Sequence, residues 1–310
     1  MVQSRKTQLL YFKQYMILTT QGHEKGIGLE VFIKSFFKLD LLEKNHRLYC
    51  FKESLLDTLD NLRLPLSFSG GILSDGHKNL SLKFCENRDI PQTMACLLAA
   101  IKDSSEGDIL HTLPSSKDQF KFENKKFKGH TDFLGDYYDL DAGMCFLSPD
   151  SNFLLLTDHI PLDQVYKSLK EQDLIQKIKS CISGFPKDRK INQVLIAGIN
   201  PHAGEEGVIS TQDQLIFDLS KKLNMEANVY SGDTMHFSRE NINQLLIYPS
   251  HDQGLGVFKA LYGLIGINFT ANLPVRRVSV DHGTAFNLFG KDAAKTAGME
   301  FLLSEVENWE

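Results

Sequence analysis

The sequence predicts an α/β protein. Short apolar runs alternate with longer amphipathic runs along most of the chain, the pattern of strands interleaved with helices. No repeat, low-complexity tract or linker interrupts that alternation. At 310 residues and 42% hydrophobic content, the chain is long enough for two lobes or one large domain, and it can fill a sizeable core.

Each element is read from its own residues. YMILTT, 15–20, reads as a strand. The glycine-rich turn QGHEKGIG follows, then a helix over 29–37. Residues 41–128 carry a weaker pattern, in which only MACLLAAIKDS, 94–104, is expected to be helical. From residue 152 the pattern sharpens. NFLLLT, 152–157, is a strand, and DQVYKSLKEQDLIQKIKSCI, 163–182, is read as helical, with Val165, Leu169, Ile175 and Ile178 close to a helical period. QVLIAGI, 193–199, is the next strand. A helix is expected to open at Ser210, where Ser210 and Asp213 resemble a capping box; it carries Leu215, Ile216, Leu219 and Leu223 on one face. NQLLIYP is a strand over 243–249, GVFKALYGLIG a helix over 256–266, and VRRVSV a last strand over 275–280. A closing helix is expected over 293–307.

Composition excludes several classes. A formal net charge of −5 argues against a nucleic-acid binder, which usually shows a basic face. The cysteines Cys50, Cys85, Cys96, Cys145 and Cys181 form no CxxC pair. Their odd count and wide spacing point to buried reduced thiols, not to a disulfide framework or a zinc ribbon. No run approaches the ~20 apolar residues of a membrane helix, and MVQSRKTQLLYFKQYMILTT lacks the apolar core and cleavage site of a signal peptide. The expectation is a soluble, cytoplasmic protein without membrane or nucleic-acid partners.

The histidines fall at equivalent places. His159 follows NFLLLT, His202 follows QVLIAGI and His251 follows NQLLIYP. Ligands of open α/β sheets bind at the carboxyl ends of the strands, so these imidazoles can converge on one cleft. Three histidines with an open position can hold a divalent metal that polarises an oxygen. Asp233 and Asp252 are candidate carboxylates nearby. Taken singly, each histidine reads first as a loop residue capping backbone groups; taken together at equivalent strand ends, the two readings stand even. The same strand ends carry Lys259, Arg276 and Arg277, suited to a phosphate or carboxylate. The strand period puts Arg276 and Arg277 on opposite faces, so one of them enters a cleft. The glycine turn GHEKGIG lacks the GxGxxG spacing, and its Gly26 and Gly28 allow a tight strand-to-helix turn; a second glycine loop, DHGTAFNLFG, either offers backbone N–H groups to a nucleotide or turns the chain.

INPHAGEEG, SHDQGLGVFK, INFTANLP and RRVSVDHGTAFNLFG, with LLLTDHIPL and GHTDF, together resemble the 4-hydroxythreonine-4-phosphate dehydrogenase family of vitamin B6 biosynthesis. The resemblance covers 129–290 and extends weakly to the first turn, where GHEKGIGLE stands in place of GDPAGIGPE. It implies a fold like that of isocitrate and isopropylmalate dehydrogenases: two α/β/α lobes flanking a cleft, with the active site at a homodimer interface. Residues 1–128 with 275–310 would form the cofactor lobe, and residues 129–274 the metal and substrate lobe. The matching residues imply His159, His202 and His251 as ligands of zinc, magnesium or cobalt. They imply His130, Thr131, Lys259, Asn268 and Arg277 as substrate contacts. His282, Gly283, Thr284, Ala285 and Asn287 lie in the loop implied to bind NAD or NADP, where an aspartate is usual at the position of Asn287.

The implied reaction is oxidation of 4-phosphooxy-L-threonine to a β-keto acid, which decarboxylates to 3-amino-2-oxopropyl phosphate. Lys259 and Asp252 are the candidate bases. Two other readings stand beside it: a D-threonate or D-erythronate 4-phosphate dehydrogenase, and a redox-inactive binder of metal and phosphate ester. A metal hydrolase would use the histidines but leave the dehydrogenase-like loop unexplained.

Overall fold

The computed structural model describes residues 15–309. The leader reading therefore rests on residues that lie mostly outside the described ones. The described chain builds a thirteen-stranded sheet with helices on its faces. Its strands fall into two parallel blocks joined by an antiparallel bridge.

The first block contains β1 (Ile17–Thr20), β2 (His46–Cys50), β5 (Asn79–Phe84), β6 (Ile109–Thr112) and β15 (Arg276–Val280), all parallel to their neighbours within it. The short strands β3 (Ser67–Ser69) and β4 (Ile72–Ser74) finish this edge antiparallel. The second block contains β10 (Asn152–Leu155), β11 (Gln193–Ala197), β12 (Glu226–Tyr230) and β13 (Gln244–Tyr248). Between the blocks run β9 (Gly143–Leu147) and β14 (Ile267–Ala271), antiparallel to each other. A separate two-stranded ribbon pairs β7 (Lys121–Phe122) with β8 (Lys125–Lys126).

Central strands of both blocks are buried along their whole length, as in ILTT of β1 and QLLIY of β13. That is why they read as continuous apolar runs: a parallel strand covered on both faces needs no polar side. Helix α1 (Gly28–Lys38) buries Val31, Phe32, Ile33 and Phe36 completely. Each such burial removes about 1.5–3 kcal/mol worth of apolar surface from water. Helix α9 (Ala297–Val306) packs against α1, and Trp309 closes the core beside Phe269. Helices α2 (Lys52–Leu59) and α3 (Gln92–Asp103) complete the first half. All five cysteines are free and buried, as the composition led us to expect. Among the described residues, no helix is long and apolar enough to cross a membrane.

Four expectations are corrected. The run 163–182 is not one helix. It divides into α5 (Val165–Glu171) and α6 (Leu174–Ser183), after α4 (His130–Tyr138), because Asp173 accepts the Gln176 N–H and starts a new helix. Ser210 and Asp213 form no capping box. Helix α7 spans Gln214–Lys222, and the Asp213 carboxylate turns back to the Ile199 and Asn200 backbone. The helix expected from 256 starts five residues earlier: α8 spans His251–Tyr262, so His251 and Asp252 sit in its first turn. The closing helix is shorter than 293–307 at both ends.

Candidate active site

Strands β11, β13 and β10 are adjacent and parallel, so their carboxyl ends lie side by side. Beyond them, near the antiparallel bridge, two adjoining cavities of about 630 and 520 Å³ share His130, Met144, His159, Asn268 and Arg277. The larger is completed by His251, Asp252, Lys259, Asp281, His282 and Gly283, among others. The smaller adds Thr131, Lys128 and Lys177. These volumes suit a small substrate.

Arg277 dominates the shared wall. It is 4% exposed, and every partner in hydrogen-bond reach is neutral. It donates to Thr112 Oγ1 at 3.0 and 2.7 Å, to Thr270 Oγ1 at 3.1 Å, to Ser279 Oγ at 3.0 Å and to Asn268 Oδ1 at 3.3 Å. Burial pushes its guanidinium down to about 9, which leaves it charged at neutral pH. A buried cation held only by hydroxyls and an amide lacks the compensation buried charges require. Its setting therefore favours an anion. Arg276, on the other face of β15, lines neither cavity, as the strand period required.

His130 stands beside it at the first turn of α4, with its ring edge-on to Phe120 at 4.6 Å. Its Nε2 is buried and without a partner. Desolvation first, and then the Arg277 charge, hold its imidazole well below the ordinary value, so it is neutral. Thr131 reaches Thr270 Oγ1 at 3.3 Å. Helices α4 and α8 both begin at this wall, and helix N-termini favour negative charge.

Also lining the larger cavity, Lys259 Nζ lies 3.4 Å from Asp281 Oδ1. Asp281 is the residue the sequence reading missed as a site member. Its side chain is 9% exposed and Oδ2 is buried without a partner. Burial raises its carboxyl above the usual range, against the opposing pull of Lys259. The signal was available: Asp281 follows strand β15 directly, the same strand-end rule that singled out the histidines. Asp252 is nearly fully exposed and bonds His251 Nδ1 at 2.7 Å. That contact orients the imidazole and leaves its other nitrogen toward the cavity side.

The rings of His159 and His251 lie 5.4 Å apart. His202 does not join them. It is exposed, lines neither cavity, and among the described residues no group of three or more His, Cys, Asp or Glu side chains could hold a metal ion. The expected three-histidine cluster is therefore absent within one chain, where only two of the imidazoles meet. The pair still suits, in donor type, the divalent metals that favour imidazole. Asp233 is likewise exposed and away from both cavities.

The turn that carries His202 is left-handed throughout. From His202 to Gly207 every residue has positive φ, including His202 (54°), Ala203 (50°), Glu205 (46°) and Glu206 (53°). Each non-glycine residue in this left-handed region costs roughly 1–2 kcal/mol. Gly204 is obligatory there, since an added Cβ would lie 2.4 Å from the Ser210 carbonyl oxygen. Strain on this scale persists only where the surroundings over-determine it, and it gathers at functional sites.

The two glycine loops come together. Ile27 N donates to Thr284 O at 3.0 Å, and His23 meets the Phe286 ring edge-on at 4.7 Å. Loop 281–290 thus docks on the turn before α1. His282 and Gly283 line the larger cavity, whereas Thr284, Ala285 and Asn287 do not.

Comparison with known proteins places the chain in a family. The family model described as "Pyridoxal phosphate biosynthetic protein PdxA" matches residues 84–301. A 4-hydroxythreonine-4-phosphate dehydrogenase of Sulfurimonas denitrificans is 31% identical over 295 residues, covering 90% of this chain and 93% of that protein. One from Helicobacter pylori strain P12 is 30% identical, covering 86% and 91%. The crystal structure of a 4-hydroxythreonine-4-phosphate dehydrogenase from Klebsiella pneumoniae shares the fold, with a TM-score of 0.69 at 21% identity over 96% of this chain and 98% of that one. These relatives define the class: the chain is an oxidoreductase of the dehydrogenase kind. It belongs to the PdxA family of pyridoxal phosphate biosynthetic proteins.

Proposed function

We propose that this chain oxidises 4-phosphooxy-L-threonine with NAD or NADP, in the presence of a divalent metal, to a β-keto acid that loses carbon dioxide to give 3-amino-2-oxopropyl phosphate. The observation that carries this reading is the buried Arg277 without a counter-ion, on a wall shared with His159, Asn268 and His130. A phosphorylated acid supplies the anion that wall lacks.

A divalent metal held here would supply polarisation of the substrate hydroxyl, and NAD or NADP would supply the hydride acceptor. The chain does the rest. Arg277, Asn268, His130 and Thr131 hold the anionic groups. His159 and His251 are the metal-side ligands, with Asp252 fixing the His251 tautomer. The hydroxyl proton passes to the Lys259–Asp281 pair, which lines the larger cavity together with Arg277. This choice over Asp252 follows from exposure: Asp252 stands in solvent and is occupied by His251. His282 and Gly283, which line the larger cavity, would hold the dinucleotide together with Thr284, Ala285 and Asn287 of the same loop.

We further place the site at a homodimer interface, with the partner subunit's His202 completing the His159–His251 pair. The loops around these residues expose Leu162 (80%), Val208 (82%) and Phe237 (76%). These side chains follow the carboxyl ends of β10, β11 and β12, where a partner subunit would cover them.

Turnover of 4-phosphooxy-L-threonine, D-threonate 4-phosphate and D-erythronate 4-phosphate, followed side by side through nicotinamide absorbance with a chelator control, tests the assignment. Metal-dependent rate on the amino substrate is expected. Rate on a threonate alone would reassign the substrate, and a flat trace with every pair would make the chain a binder.

A further inference from the structure

We propose that Asp213 is the positioning residue for His202. The inference rests on the reading of His202 as a metal ligand and deepens it. His202 makes no hydrogen bond or ion pair of its own among the described residues, so its direction is set by its backbone alone. That backbone is the left-handed turn of residues 202–207. A turn of that kind does not hold itself.

Asp213 holds it. The residue is 1% exposed, at the entrance of α7. Its Oδ1 accepts the Ile199 N–H at 2.6 Å and the Asn200 N–H at 3.2 Å, and its Oδ2 accepts from Asn200 Nδ2 at 2.7 Å. These donors belong to the residues that leave β11 and enter the turn. The other side of the carboxylate backs the turn directly. A Cβ on Gly204 would meet Oδ2 at 2.9 Å, and one on Gly198 would meet Oδ1 at 2.9 Å. The turn is closed from behind by Ile209 N and Ser210 N, both donating to Gly204 O. One buried carboxylate thus ties the end of the strand, the turn and the next helix together. Three donors converge on the Asp213 carboxylate, so an amide in its place must present its own N–H₂ group to at least one of them.

The sequence reading took Asp213 for a helix cap. Its carboxylate instead caps nothing in α7 and faces the preceding strand. That diversion from the local partner to a distant one is the mark of a side chain kept for the turn.

The test uses the full chain and cobalt(II) alone as probe, with binding read from the visible absorption of the metal. His202→Ala, Asp213→Asn, Asp213→Ala and the His202→Ala/Asp213→Asn double variant are compared with wild type. Circular dichroism and Tm are recorded for each. Loss of a group that orients a metal ligand typically weakens affinity about 10–100-fold. Asp213→Asn is expected to weaken cobalt binding by that factor while remaining folded. The double variant is expected to bind no more weakly than His202→Ala, because the carboxylate acts through that imidazole. Additive losses, or wild-type affinity in a folded Asp213→Asn, would overturn the inference. Should Asp213→Ala not fold, Asp213→Asn carries the test. Wild-type affinity in His202→Ala would instead bring down the ligand reading of His202, and the inference with it.

Discussion

Arg277 donates to the hydroxyl of Thr112 through two of its nitrogens, at 3.0 and 2.7 Å, from the neighbouring strand. The guanidinium is thereby aimed before any anion arrives, and none of its rotamer freedom remains to be lost on binding. Arg277→Ala should lower kcat/KM for the phosphorylated substrate by about 100-fold, the order expected for charge-assisted hydrogen bonds worth roughly 3 kcal/mol. The dissociation constant of the dinucleotide, read by thermal shift, should move far less. Equal losses in both would mean that the substitution disturbs the sheet and not the anion site.

The Lys259–Asp281 pair makes a prediction about pH. Burial raises the Asp281 carboxyl above its usual range, so it protonates earlier than a surface aspartate as pH falls. Protonation removes the partner of Lys259 and the acceptor for the substrate proton. The kcat/KM profile of wild type should therefore show an acid limb, absent from Asp281→Asn, whose rate should be lower and flat there. An unchanged acid limb in Asp281→Asn would assign it to another group.

Gly283 separates cofactor contact from fold. It lines the larger cavity, its φ is not in the left-handed range, and an added Cβ would meet nothing within 4 Å. Gly283→Ala should leave Tm unchanged and weaken dinucleotide binding. Gly204→Ala is the contrast: the Cβ would press on a backbone oxygen at positive φ. It should lower stability by about 1–3 kcal/mol. Unaltered dinucleotide affinity in Gly283→Ala would remove the loop from the cofactor site.

His111 gives a stability prediction. It is fully buried against Phe32 and Thr19, and desolvation, followed by His46 and Arg277, pushes it down to about 3. An imidazole in the unfolded chain titrates near 6.5. Between those values the unfolded state binds a proton that the folded state refuses. Stability therefore falls as pH falls through this window, by at most about 1.4 kcal/mol per pH unit for this group. Urea unfolding between pH 6 and 4 should show a shallower slope in His111→Gln than in wild type. Parallel slopes would mean that His111 takes up its proton in the folded state.

The legible parts of the sequence were those whose signal is local. The buried strands β10, β11 and β13 announce themselves as apolar runs, and the strand-end rule then points to His159 and His251 without any knowledge of packing. The region 41–128 was opaque for a physical reason. Its strands are short or alternate charge with apolar residues, as NLSLKF does in β5, and β3 and β4 gain their identity only from pairing at a sheet edge. The antiparallel bridge of β9 and β14 was equally hidden, since direction is set by the topology and not by composition. Asp213 and Asp281 mislead in the same way: each side chain serves a partner far away in the chain, so its neighbours in sequence do not reveal its task.

The separation of His202 from His159 and His251 bears on how the site is assembled. If one chain holds the pair and its partner supplies His202, then two crippled chains can rescue each other. Neither His202→Ala nor His251→Ala should show metal-dependent turnover alone. In a mixture refolded or exchanged together, half of the dimers are mixed. Each mixed dimer then contains one site built wholly from intact residues and one lacking both histidines. By the two-fold symmetry of such an assembly, activity should return to roughly a quarter of wild type. A site built within a single chain predicts no recovery at any ratio. The titration of one variant against the other, with activity plotted against mole fraction, distinguishes the two: a maximum at equal mixing supports the shared site, and a flat line at zero excludes it.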